Sequence, residues 1–249
     1  MKTSSKILFG GLGAIFLVSV VLAVITNANT QVWSDEACDT LPRSSKTLSL
    51  EFDKVKIGHN VNATLKKGDF NLEIEGPDET LTFTNHHVEN GVLFLNLDDG
   101  VNYPCRVNAV IACPTLSMIT ISNSGHIRSD ENFEIPSLEL NAHNGSSVQL
   151  NIQSEAVSLT ATNSAFVDLA GRVRELNVSA TNSSNIDMAK VNVNSAHISL
   201  MNSSSATIKT DTILEAKIVN SSSLKYIGMP IIGEVDSYNS SSISRQEEH

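Results

Sequence analysis

One motif recurs through the second half of the chain, and it leaves few folds open. The pattern Asn-[Ser/Gly]-[Ser/Ala/Gly]-x-apolar begins at Asn123, Asn144, Asn163, Asn182, Asn202, Asn220 and Asn239, at spacings of 21, 19, 19, 20, 18 and 19 residues. Four residues after each Asn stand Ile127, Val148, Val167, Ile186, Ala206, Leu224 and Ile243. Two before each stand Ile121, Ala142, Ala161, Ala180, Leu200, Ile218 and Ser237, of which only the last is polar. Four before stand Ile119, Leu140, Leu159, Val178, Ile198, Ala216 and Val235. Offsets of two are strand alternation, with one face inside and the other in water.

A unit of about 19 residues made of short strands and a polar turn cannot bury its own apolar face; stacked copies bury it for one another. The expected fold is all-β, a right-handed parallel β-helix (β-solenoid), with seven Asn-Ser-Ser repeats over 117–245. Coils about 4.8 Å apart would line the seven Asn into a ladder roughly 29 Å long. Asn tolerates the left-handed backbone of such a turn, and its amide can bond the copies above and below. The chain holds 33 Ser and 24 Asn in 249 residues, a bias that also occurs in disordered tracts, but the phased apolar positions exclude that reading.

Ahead of the repeats, residues 46–116 read as irregular lead-in coils of the same 46–245 domain. Strands are expected at Leu48–Phe52, Val55–Ile57, Phe70–Ile74, Leu81–Phe83, Val92–Leu95 and Val107–Ala112, punctuated by Gly68-Asp69, Gly76-Pro77 and Asn90-Gly91. Their expected role is to start the solenoid and close its open end. Cys105 and Cys113 are candidates for a local bridge, although the segment between them would have to double back. Cys38 would then stay single or pair between chains.

The N-terminus supplies an address. Ile7–Ile25 is 19 residues without a charge, preceded by Lys2 and Lys6 and followed by Asp35, Glu36 and Asp39. As a helix it would span roughly 28 Å, enough for a bilayer core. Residues 1–25 are therefore expected to be a signal anchor and 26–45 a polar linker, with the body outside the cytoplasm and periplasmic in a Gram-negative cell. A cleaved signal peptide, releasing a secreted or surface form, is the alternative. Either way the exported body faces the cell envelope.

Chemistry is sparse. With 27 Asp+Glu against 17 Lys+Arg, the net charge of −10 argues against a nucleic-acid partner. No serine stands in a nucleophile context, and Ser203, Ser221 and Ser240 are repeat-equivalent turn residues. Asp168 and Asp187 are equivalent on consecutive coils and should face solvent about 5 Å apart, a separation that suits a retaining glycosidase pair or a calcium site. Two acids from one repeat position are more simply a solvated face. His86-His87 should point to opposite sides of a strand and so not chelate one ion. Outward Thr and Ser beside the ladder resemble an ice-binding array, interrupted by His143 and Met201. No catalytic, cofactor or metal residue is expected.

The lead-in Val88-Glu-Asn-Gly-Val-Leu-Phe-Leu95, the stretch Pro114-Thr-Leu-Ser-Met-Ile-Thr-Ile-Ser-Asn-Ser-Gly125 and the closing Leu224-Lys-Tyr-Ile-Gly-Met-Pro230 resemble the auto-transporter adhesin head GIN domain family of exported bacterial proteins. The basic N-terminus followed by a membrane segment is similar to Bacteroidetes members. The likeness covers about residues 46–245, and the Asn-Ser-Ser turn departs from the family's common Gly-Ser-Gly. It implies a β-helix with an adhesion-like envelope role and no transferable functional residue. The reading is thus a non-catalytic scaffold, held to the membrane by its N-terminal helix, that meets an envelope protein or a polysaccharide. Its rivals are a carbohydrate-binding or polysaccharide-cleaving solenoid using the Asp168/Asp187 face, and a self-assembling structural solenoid, a homo-oligomer built end to end.

Overall fold

The computed structural model describes Cys38 and residues 41–98 and 105–247. The chain divides into two units, Met1–Thr40 and Leu41–His249, and every described strand belongs to the second. The expected anchor at Ile7–Ile25 lies outside the described residues. Among the described residues no helix is long and apolar enough to cross a membrane.

The repeats form ten strands: β8 (Met118–Ile121), β9 (His126–Glu134), β10 (Ser137–His143), β11 (Ser147–Thr162), β12 (Phe166–Thr181), β13 (Asn185–Met201), β14 (Ser205–Val219), β15 (Ser223–Ile227), β16 (Ile231–Tyr238) and β17 (Ser242–Arg245). All their mutual pairings are parallel. They stack as a solenoid of about seven turns. Each coil runs along one sheet into its Asn turn and leaves along a second. The register matches the sequence phase: Ile127, Val148, Val167, Ile186, Ala206, Leu224 and Ile243 are successive cross-strand partners on the sheet after the turn. Ile119, Leu140, Leu159, Val178, Ile198, Ala216 and Val235 do the same on the sheet before it. All but the last member of each column are buried.

The corner opposite the Asn turn is irregular, and buried hydroxyls serve its backbone. Ser154 Oγ donates to Ala156 O at 2.9 Å, and Ser129 Oγ donates to Leu65 O at 3.0 Å. At Gly171 (φ +113°) a Cβ would lie 2.1 Å from Ile152 O, so glycine lets two coils touch.

The lead-in is wound out of order. It comprises β1 (Arg43–Leu48), β2 (Lys54–Ile57), β3 (Val61–Lys67), β4 (Asn71–Pro77), α1 (Asp78–Thr82), β5 (Thr84–Glu89), β6 (Val92–Leu97) and β7 (Val107–Cys113). The β2–β3 coil sits between the β6–β7 coil and the first repeat: β2 pairs with β6 and β8, and β3 with β7 and β9, all parallel. Antiparallel strands then cover the far side, β5 on β6, β4 on β7 and β1 on β4. These strands lie at one end of the stack.

Three local expectations are corrected. Leu48–Phe52 is not one strand, because β1 ends at Leu48. Leu81–Phe83 is not a strand: Pro77 caps α1, whose first turn carries Asp78 and Glu79, acids that favour a helix N-terminus. Cys113 is a free, buried thiol, so no Cys105–Cys113 bridge forms. β7 is extended from Val107 to Cys113, and about 20 Å of strand far exceeds the ~7 Å a disulfide spans. Cys38 and Cys105 are the disulfide-bonded cysteines.

Candidate functional site

The Asn turn is the most regular feature of the solenoid. All seven ladder Asn have left-handed backbone, with φ of 52–57°. The residue after each is also left-handed, as at Ser183 (φ 64°) and Ser203 (φ 63°). Two such residues in succession turn the chain sharply, which L-residues other than Asn and Gly resist unless their backbone is bonded elsewhere. Here it is: Ser164 N donates to Asn182 O and Ser203 N to Asn220 O, both at 2.9 Å, coil to coil. Where the third residue is Ser184, Ser204 or Ser222 it is buried and its hydroxyl closes the turn, donating to Thr181 O, Met201 O and Val219 O at 2.8–2.9 Å.

Side-chain amides join the coils further. Asn144 Nδ2 donates to Asn123 Oδ1 at 3.0 Å, and the pattern continues through Asn163, Asn182, Asn202, Asn220 and Asn239 at 2.9–3.0 Å. Each interior amide gives one N–H and one lone pair to the row. The ladder is therefore a spine that ties each coil to the next.

Asp168 and Asp187 are cross-strand partners on the outer side of β12 and β13. Their column neighbours are Gln149 and Thr207. Asp187 Oδ1 accepts from its own strand, Ala189 N at 3.1 Å, where the register shifts. Among the described residues no group of three His, Cys, Asp or Glu is placed to hold a metal ion. His87 stacks on Phe94 with centroids 4.9 Å apart, while His86 Nδ1 lies 3.3 Å from Thr84 O, so the doublet splits as strand geometry requires.

The concave surface lies on the other sheet. A groove of about 490 Å³ runs over the outer side of β11, β12, β13, β14 and β16. Two outward columns floor it: Ser158, Asn177, His197 and Glu215, then Thr160, Ser179, Ser199, Lys217 and Asp236. Most of these side chains are short, which leaves the volume open. The groove is neutral at one end and charged at the other. His197 Nδ1 lies 3.0 Å from Glu215 Oε2, and an ionised carboxylate only accepts, so Nδ1 is the donor. Beside them, the charge of Asp236 and its hydrogen bond, with help from Glu234, raise the Tyr238 phenol above its ordinary pKa.

Sequence reasoning singled out the outward Thr and Ser beside the ladder, but not His197, Glu215 or Glu234. The signal was available, since these stand five residues before a ladder Asn and continue the same alternation outward.

Fold and surface together define a parallel β-solenoid with one covered end and a polar lateral groove. The chain belongs to the family described as "Putative auto-transporter adhesin, head GIN domain", whose model matches residues 51–230. Among solved structures it is similar to a "putative adhesin" from Bacteroides fragilis, at TM-score 0.78 and 19% identity, over 82% of this chain and 97% of that one. It is also similar to one from Parabacteroides merdae, at TM-score 0.70 and 16% identity, over 82% and 96%. A "putative lipid binding protein" from Parabacteroides distasonis aligns at TM-score 0.64 and 15% identity, over 84% and 98%. At these identities the likeness is one of fold. Comparison with curated proteins returns no match.

Proposed function

We propose that the exported body is a non-catalytic, right-handed β-helical scaffold with an adhesion-like role at the cell envelope, and that the groove over β11–β14 and β16 takes a polysaccharide. The groove carries this reading. It presents rows of hydroxyl, amide and charged groups at the strand spacing of about 4.8 Å, a repeating set of donors and acceptors for a polar polymer. Family membership and the adhesin-described structural relatives support it. The tether of Asp187 to its own backbone favours a structural part for that acid over a catalytic one. The covered β6–β7 end argues against growth end to end. On this reading Ile7–Ile25 anchors the chain, and full-length protein stays with membranes through a carbonate wash; a soluble form starting near residues 29–31 would instead mark a cleaved signal.

A glycan array with the purified protein tests the groove. Ser179→Arg, which fills the floor, should abolish binding, and Asp168→Asn should leave it unchanged. Loss in Asp168→Asn alone would move the site to the Asp168/Asp187 face. No bound glycan at all would overturn the polysaccharide reading.

A further inference from the structure

The amide ladder has a direction. Six of the seven Nδ2 groups donate to the preceding ladder Asn, so the row of side-chain dipoles points one way and ends at Asn123. Asn123 Oδ1 accepts from Asn144, but its own Nδ2 has no hydrogen-bond partner among the described residues. Aligned amides leave partial positive charge at the donor end, as backbone amides do at a helix N-terminus, and chains of hydrogen bonds reinforce it.

That end opens into a second pocket, of about 370 Å³, between the lead-in coils and the first repeat. Asn123 is half-buried there, whereas the other six ladder Asn are exposed. Gly58 forms the floor; a Cβ on it would reach 3.3 Å from Asn96 Cβ, so the missing side chain makes the space. Ser122, beside Asn123, brings a hydroxyl without a partner among the described residues. Among the described lining residues Lys56 is the one lysine or arginine, and none is a carboxylate. Its ammonium lies 5.6 Å from the Phe94 ring centroid, and His87 backs the ring's other side. In a chain of net charge −10, four features thus converge on one small space: a lysine, a free hydroxyl, an open amide donor and the positive end of a dipole row.

We infer that this pocket is an oxyanion site, taking the carboxylate or phosphate of an anionic ligand, with Asn123 Nδ2 and Ser122 Oγ donating and Lys56 neutralising. It stands apart from the polysaccharide groove and does not depend on it. The source of the oxyanion is decided by using glucuronate and glycerol phosphate as probes, with glucose as the neutral control. Amide chemical shifts of the full chain in a polyoxyethylene detergent should move at residues 58, 59, 122 and 123 with either anion. Tighter glucuronate points to an acidic polysaccharide, and tighter glycerol phosphate to a phosphate headgroup. Lys56→Gln and Asn123→Asp should each weaken the anion at least tenfold without altering the circular dichroism. The second variant keeps an acceptor for Asn144 and replaces the donor with a negative charge that repels the anion. Silence at those amides, equal shifts with glucose, or wild-type binding by both variants would overturn the site.

Discussion

At the residue scale, position in the repeat outweighs chemical type. Val167 is fully buried in the inner column, and Asp168 beside it faces outward. Val167→Asp would put an unpaired charge between two coils that cannot move apart, costing about 3–5 kcal/mol or preventing folding. Asp168→Asn should change denaturant stability by less than about 0.5 kcal/mol, with any gain coming from relief of its Asp187 neighbour. A silent Val167→Asp would mean the phase is wrong. Cys113 offers a test by pH. Burial pushes its thiol from the ordinary 9.0 up to about 12. The folded state therefore keeps the proton that the unfolded state releases. That stability is whole below about pH 9 and declines as pH rises toward 12. Maleimide at pH 8 should label Cys113 only after unfolding, and Cys113→Ala should flatten the loss of stability above pH 9.

At the element scale, two glycines make opposite demands. Gly145 occupies the second turn position, where five other copies carry Ser at φ of 59–64° and the sixth, Ser124, has φ 61°. A Cβ there meets nothing closer than Ser124 Oγ at 3.9 Å. Gly145→Ser should thus lie within about 0.5 kcal/mol of wild type. Gly171 faces the Ile152 carbonyl at 2.1 Å from any Cβ, and Gly171→Ala should cost more than about 2 kcal/mol in urea unfolding. If the two variants proved equal, the close approach of Gly171 to the Ile152 carbonyl would not be what fixes that corner. The same contrast explains what the sequence made legible. Turns and inner columns repeat seven times, so each copy checks the others, and strand phase, register and ladder all follow. The lead-in has no second copy. Its alternation at Leu81–Phe83 is three residues long, and the Pro77 cap with two acids outweighs it. That β2 lies between β6 and β8 is a choice among apolar strands of similar pattern, which no local spacing encodes. Cys105 and Cys113 looked close because sequence separation hides an extended strand. His197 and Glu215 went unread because the outward positions carry no apolar constraint to mark them.

At the scale of the whole molecule, the two ends of the stack are finished differently, and this should set the order in which it opens. In a solenoid each coil is held mainly by its neighbours, so stability is close to a sum over interfaces. β11, β12 and β13 have a coil on both sides. β16 pairs only with β14 and β17 only with β15 among the described residues. The inner positions there are correspondingly bare: Ile232 is 47% exposed, whereas its partner Leu214 is 0% exposed. At the far end, β5 and β4 lie on the β6–β7 coil, and Leu81 on α1 and Leu97 on β6 are buried. Opening should therefore begin at β17 and β16 and move toward the middle, while the lead-in end stays shut. Hydrogen exchange read by mass spectrometry should find peptides of 231–245 exchanging at least about tenfold faster than those of 166–200, equivalent to ~1.4 kcal/mol less local stability. Peptides of 92–97 should resemble the middle of the stack. Substitution gives an independent check on the same gradient. Ile232→Lys should cost less than about 1 kcal/mol, because half of that side chain already meets water, whereas Leu214→Lys, one coil inward in the same column, should be severe. Equal exchange at both ends, or equal cost at Ile232 and Leu214, would mean that something covers the β16–β17 edge and that the molecule in solution has no open end.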